Sequence, residues 1–162
     1  MELDGGRIEI LRPWSDGAPG HVIFGLEDES DGTRKLFDLA GIVAAALADG
    51  CPCIVDELDA RLHPALSRKV VELFHSVETN PKNAQLLFAA HDTHLMDPDL
   101  FRRDQIWFTE KHGDGNTELY SLAELRGVRE NEAWEKAYLG GRYGAVPILN
   151  RFAAPVRVRA AE

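Results

Sequence analysis

Apolar residues recur along this chain in two rhythms, and the alternation between them predicts its elements. From Arg34 onward, Leu36, Phe37, Leu39, Ala40, Val43, Ala44 and Leu47 fall at helical spacing, and Gly50 stands where a helix would end. Residues 51–55 are a short apolar run closed by Asp56-Glu57, too short for a helix and of the right length for a buried strand. Pro64 opens a second helix at its first turn, carrying Leu66, Val70, Val71, Leu73 and Phe74. After the turn Asn80-Pro81-Lys82-Asn83, residues 84–90 form a second apolar run that ends in His91-Asp92. Helix, buried strand, helix, buried strand is the logic of an α/β fold with a parallel sheet. Upstream, residues 7–13 alternate apolar and charged side chains as a half-exposed strand does. Residues 15–20 form a turn, residues 21–26 a second strand, and residues 27–33 a polar, acidic loop. Downstream, the pattern predicts a short helix around residues 95–101. A hairpin of residues 105–110 and 118–121 follows, turning at Gly113-Asp114-Gly115-Asn116. A helix over residues 131–139 comes next, and then an irregular remainder with Gly140, Gly141, Gly144, Pro147 and Pro155.

Composition narrows the class. A chain of 162 residues with 44% hydrophobic and 28% charged residues suits one globular domain, which excludes a collagen, a disordered tail and a disulfide scaffold. The longest apolar segment, residues 39–47, contains Gly41 and is far short of the ~20 residues of a membrane span, so no membrane partner is expected. The opening MELDGGRIEI lacks a basic region followed by an apolar run, so a cytoplasmic location is expected. Cys51 and Cys53 flank one proline; they read as small core residues of a reducing compartment, with a metal or redox pair as the alternative. Net charge is −9, unevenly spread: residues 126–162 carry seven Arg/Lys against four Asp/Glu, which is +3 and leaves −12 for the rest. The acidic body argues against nucleic acid, and the basic end leaves that partner open.

The candidate chemistry sits where the two apolar runs end. A run followed by Asp56-Glu57 has the Walker B pattern of nucleotide hydrolases. A buried strand delivers Asp56 at the carboxyl edge of a sheet, where ligands bind in open α/β folds. Asp56 can there hold Mg²⁺, and Glu57 can polarise an attacking water. His91, at the end of the neighbouring run, can reach a γ-phosphate and that water. Two other readings stand beside this one: a metal site using His91 and His94, and a His91-Asp92 dyad like that of HD phosphohydrolases, which are all-helical.

Further residues carry a family resemblance. Ser30-Asp31-Gly32-Thr33 with Arg34 resembles the degenerate signature motif of ABC-type ATPases. Asp56-Glu57 resembles their Walker B and catalytic glutamate, Leu58-Asp59 their D-loop, and His91 their switch histidine, all in the family's order. The chain is similar to the RloA-like, abortive-infection group of bacterial AAA-type, ABC-fold ATPases. The similarity runs through Glu29 to Arg34, Asp56 to Asp59 with Leu62-His63-Pro64, and His91-Asp92-Thr93. It continues in residues 103–108 and in Gly141-Arg142-Tyr143-Gly144-Ala145-Val146-Pro147, and covers about residues 5–149.

The resemblance implies a P-loop NTPase fold, an α/β domain with a mainly parallel sheet flanked by helices, over residues 1–149, with 150–162 as a tail. It implies ATP and Mg²⁺ as cofactors, with Asp56 on the metal and Glu57 and His91 catalytic. Ser30, Asp31, Gly32, Thr33 and Asp59 would contact nucleotide, Ser30 and Gly32 doing so across a head-to-tail dimer. A plain helix cap is the other reading of residues 30–33. The resemblance further implies a role in anti-phage defence, controlling an effector such as a nuclease. One element departs from the family: no G-x-x-x-x-G-K-[ST] occurs in the 162 residues. The chain therefore resembles the C-terminal part of such an ATPase, inactive alone. The alternative is a non-catalytic module that dimerises or complements a complete ATPase subunit, and a third reading is an unrelated metal-dependent phosphohydrolase built on Asp56, Glu57 and His91.

Overall fold

Alternating polar and apolar residues build antiparallel pairs near the two ends of the described chain, with a parallel pair between them. The computed structural model describes residues 3–4, 7–13, 20–129 and 132–147. They belong to two units divided between Leu95 and Met96. In the first unit, β1 (Leu3–Asp4), β2 (Arg7–Pro13) and β3 (His21–Gly25) form an antiparallel sheet in that order. The register sets Ile10 against Phe24 and Leu11 against Ile23. The turn expected over residues 15–20 lies outside the described residues except for Gly20.

Helix α1 (Asp31–Asp49) begins three residues before the apolar spacing predicts. Ser30 is the reason: its Oγ accepts the backbone N–H of Thr33 at 3.2 Å, which satisfies a donor the first turn would otherwise leave open. The helix ends at Gly50, whose φ of 72° is left-handed. β4 (Cys53–Val55) follows, then α2 (Pro64–His75), capped by His63, whose Nδ1 accepts the Ala65 N–H at 3.2 Å. Buried Asn80 ties the end of α2 to the next strand, donating to Phe74 O and Ala84 O and accepting the Ala84 N–H at 2.7 Å. β5 (Leu86–Phe88) then pairs parallel with β4, Ile54 opposite Leu87. Leu39, Val43 and Ala46 of α1, Cys53 and Val55 of β4, and Val70, Val71 and Phe74 of α2 are buried.

The parallel sheet is smaller and more open than expected. Among the described residues, parallel pairing is confined to β4 and β5, and the other sheets are antiparallel. The two apolar runs are also not buried throughout. Ile54 is 74% and Leu87 66% exposed, because only one face of this pair is covered.

In the second unit, β6 (Trp107–Lys111) and β7 (Thr117–Ser121) form the expected hairpin, and α3 (Trp134–Leu139) follows. Phe108, Leu122, Val128, Trp134 and Tyr143 make its core. The helix expected around residues 95–101 is present only as single turns. The Asp97 carbonyl accepts from Leu100 and Phe101, and then Arg102 goes extended, with ψ 157°, which stops propagation.

Candidate active site

Because β4 and β5 run parallel, both deliver their carboxyl ends to one edge. Pairing continues past the strands: Ala89 N–H donates to Val55 O at 3.1 Å, and Leu58 N–H to Ala89 O at 3.0 Å. This draws residues 56–59 alongside residues 89–91. Glu57 adopts a left-handed φ of 49°, uncommon without glycine. Leu58 is fully buried, while Asp56 and Glu57 stay exposed. Asp59 Oδ2 accepts the His91 backbone N–H at 3.1 Å, and His91 Nε2 lies 3.9 Å from Glu57 Oε1. With side chains 86% and 59% exposed, His91 and Glu57 gain little from each other and face solvent, where a ligand can reach both. The other Asp59 oxygen, Oδ1, is sealed from solvent without a hydrogen-bond partner.

A second group forms at the start of α1. Ser30 Oγ shares a hydrogen bond of 3.0 Å with Thr33 Oγ1 besides accepting the Thr33 N–H, so Ser30 caps the helix here. The Asp31 carboxylate lies 3.4 Å from Arg34 and 3.8 Å from Arg61. Gly32 approaches the Arg61 backbone so closely that a Cβ would stand 2.8 Å from the Arg61 carbonyl oxygen. Thus Asp56, Glu57, Asp59 and His91 share one edge, and Ser30, Asp31, Gly32 and Thr33 adjoin it through Arg61. Sequence reasoning missed Arg61, whose φ of 65° is also left-handed and leaves no mark in composition or periodicity.

The rival metal readings find little to build on. His94 Nδ1 lies 2.7 Å from Asp92 Oδ1, which also accepts the His94 N–H. Among the described residues no group of three or more His, Cys, Asp and Glu is placed to hold a metal ion. Cys51 is exposed and Cys53 buried, both free, and burial pushes the Cys53 thiol pKa up.

Residues 16–97 match the family model of an AbiEii toxin-like AAA domain, type IV toxin–antitoxin system. The chain belongs to this AAA family. No curated protein and no solved structure matches it. The family is one of nucleotide-binding domains with a P-loop NTPase fold, and the matched span contains every candidate residue from Ser30 to His91. Among the described residues of this AAA domain, no helix is long and apolar enough to cross a membrane. The donor chemistry suits the family's usual cation: Asp56 is an exposed carboxylate at a parallel strand's carboxyl end, a hard oxygen donor of the kind Mg²⁺ takes.

The AAA domain's chain carries a further polar network, in its second unit. Tyr120 OH donates to Tyr143 O at 2.7 Å, and Ala145 N–H donates to Glu110 Oε2 at 3.1 Å. Glu132 accepts from Tyr143 OH and from Arg142. The Tyr143 hydrogen bond, before all else, holds the Glu132 carboxyl below its ordinary pKa. Burial, and then Glu110, push the Tyr120 hydroxyl up to about 12. The Tyr120 and Glu110 bonds fasten residues 143–145, which the sequence leaves irregular, onto the hairpin, while Glu132 holds Arg142 and the Tyr143 hydroxyl. Gly141 and Gly144, with φ of 77° and 75°, are the sequence signal of that tight path.

Proposed function

We propose that this chain is the C-terminal half of an ABC-type ATPase domain of the RloA-like kind. It carries the signature at Ser30 to Thr33, Walker B at Asp56, the catalytic Glu57, a D-loop at Asp59 and the switch His91. The observation that carries the reading is the meeting of Glu57, Asp59 and His91 at the shared carboxyl edge of β4 and β5. In this reading Asp56 holds Mg²⁺, which when bound offsets phosphate charge. Glu57 orients water and accepts its proton, and His91 donates toward the γ-phosphate from a backbone steadied by Asp59. Ser30 and Gly32 serve a partner's nucleotide in a head-to-tail dimer. The dimer switches between states to control an effector, such as a nuclease, in anti-phage defence. With no phosphate loop among its 162 residues, the chain alone binds Mg-ATP weakly or not at all.

A phosphate-loop-bearing half supplied with the chain should restore hydrolysis. Glu57→Gln in that assembly should lower turnover about 10²-fold while nucleotide-driven pairing persists. Asp56→Asn should raise the Mg²⁺ concentration required. Normal turnover in Glu57→Gln overturns the assignment. The exposed Ile54 and Leu87 favour one other reading, a non-catalytic module that complements a complete ATPase. In that case Glu57→Gln leaves turnover untouched and Leu87→Asp abolishes association.

A further inference from the structure

Gly32, Arg61, Asp59 and His91 form one line of contacts from the first turn of α1 to the candidate catalytic edge. What bars any side chain at Gly32 is a backbone oxygen, that of Arg61, which cannot swing aside as a flexible side chain would. The turn between is stiff: Ala60 N–H donates to Glu57 O at 3.1 Å, Leu62 N–H to Asp59 O at 3.0 Å, and Leu58 and Leu62 are buried. Two non-glycine residues, Glu57 and Arg61, hold left-handed φ values of 49° and 65° at its ends. Such conformations persist where surrounding contacts over-determine them. A displacement of the Arg61 carbonyl is therefore passed along the turn to Asp59.

Asp59 is poised to respond. One carboxylate oxygen holds the His91 N–H, while the other is buried without a partner. An orphaned polar atom is costly, and opening the turn lets water reach it. The carboxylate is thus held on one side only, by the His91 N–H, so its position depends on the turn that carries it.

Resting on the reading of His91 as the residue facing the γ-phosphate, we propose that Arg61 is a positioning residue that acts through Asp59. Its carbonyl, seated on Gly32, sets where the Asp59 carboxylate holds His91, so that the first turn of α1 and His91 shift together. The Arg61 guanidinium is secondary, since its 3.8 Å approach to Asp31 is between exposed groups.

The test uses the full chain without nucleotide, so its outcome is independent of whether ATP is hydrolysed. Amide hydrogen exchange at His91 is read by NMR alongside exchange in the interior of α2. Gly32→Ala should speed His91 exchange about tenfold or more while α2 amides keep their protection. Gly41→Ala on the same helix, where an added Cβ meets nothing within 4 Å, should leave His91 unchanged, as should Arg61→Ala, which keeps the carbonyl. Adding Arg61→Gly to Gly32→Ala frees the turn to yield and should restore His91 protection. Unchanged His91 exchange in Gly32→Ala overturns the proposal, and so does uniform acceleration across α2. If Gly32→Ala does not fold, Asp59→Ala reads the link from the other end. It should move the Gly32 and Thr33 amide resonances, and resonances that stay put overturn the proposal equally.

Discussion

Tyr120 shows how one side chain contributes to the pH dependence of the second unit. Its hydroxyl is neutral when it donates to Tyr143 O, and burial and Glu110 raise its pKa to about 12. The folded value lies above the unfolded one near 10, so its contribution is complete below pH 10 and is lost as pH climbs through 12. Tyr120→Phe should cost about 1 kcal/mol at neutral pH, the scale of one hydrogen bond. The gap from wild type should close as pH approaches 12. Denaturant titrations at stepped alkaline pH measure this, and a constant gap would exclude Tyr120 as the titrating group.

Among elements, the ends of α1 were the most legible and the strands around the site the least. Gly50 marked the C-terminus because only a left-handed residue fits there. Ser30 gave the N-terminus once weighed as a cap rather than by apolar spacing alone. Ser30→Ala should cost about 1 kcal/mol. Gly50→Ala should cost about 1–2 kcal/mol, because φ is 72° and the new methyl would stand 2.9 Å from Lys82 Cβ. Thermal unfolding of both variants checks the order. The apolar runs at residues 51–55 and 84–90 announced strands, but a run of apolar letters does not say how many neighbours a strand has. Ile54 and Leu87 look as core-like in the sequence as Cys53 and Val55, and only the sheet's extent separates them. Asp56, Glu57 and His91 were readable from their places after those runs. The Asp59 hold on the His91 backbone and the Arg61 carbonyl were not, because main-chain contacts leave little trace in residue identity.

At the scale of the whole molecule, secondary structure and aromatic packing are divided between the two units. α1 and α2 hold 19 and 12 residues in the first, while α3 holds 6 in the second. Trp134 is among the largest fully buried side chains, and its Nε1–H donates to Arg129 O at 3.0 Å. Trp134→Ala should destabilise the second unit by about 3–5 kcal/mol. Near-ultraviolet circular dichroism should then collapse while most far-ultraviolet helical signal survives. Loss of both together would mean that the units unfold as one.

The bare face of β4 and β5 has a consequence for the life of this polypeptide. Ile54 and Leu87 stand directly opposite each other on a strand pair that, among the described residues, has no further neighbour. Uncovered edges and paired aliphatic side chains are what chaperones grip and what aggregates grow from. Left uncovered, that face predisposes the chain to self-association as its concentration rises.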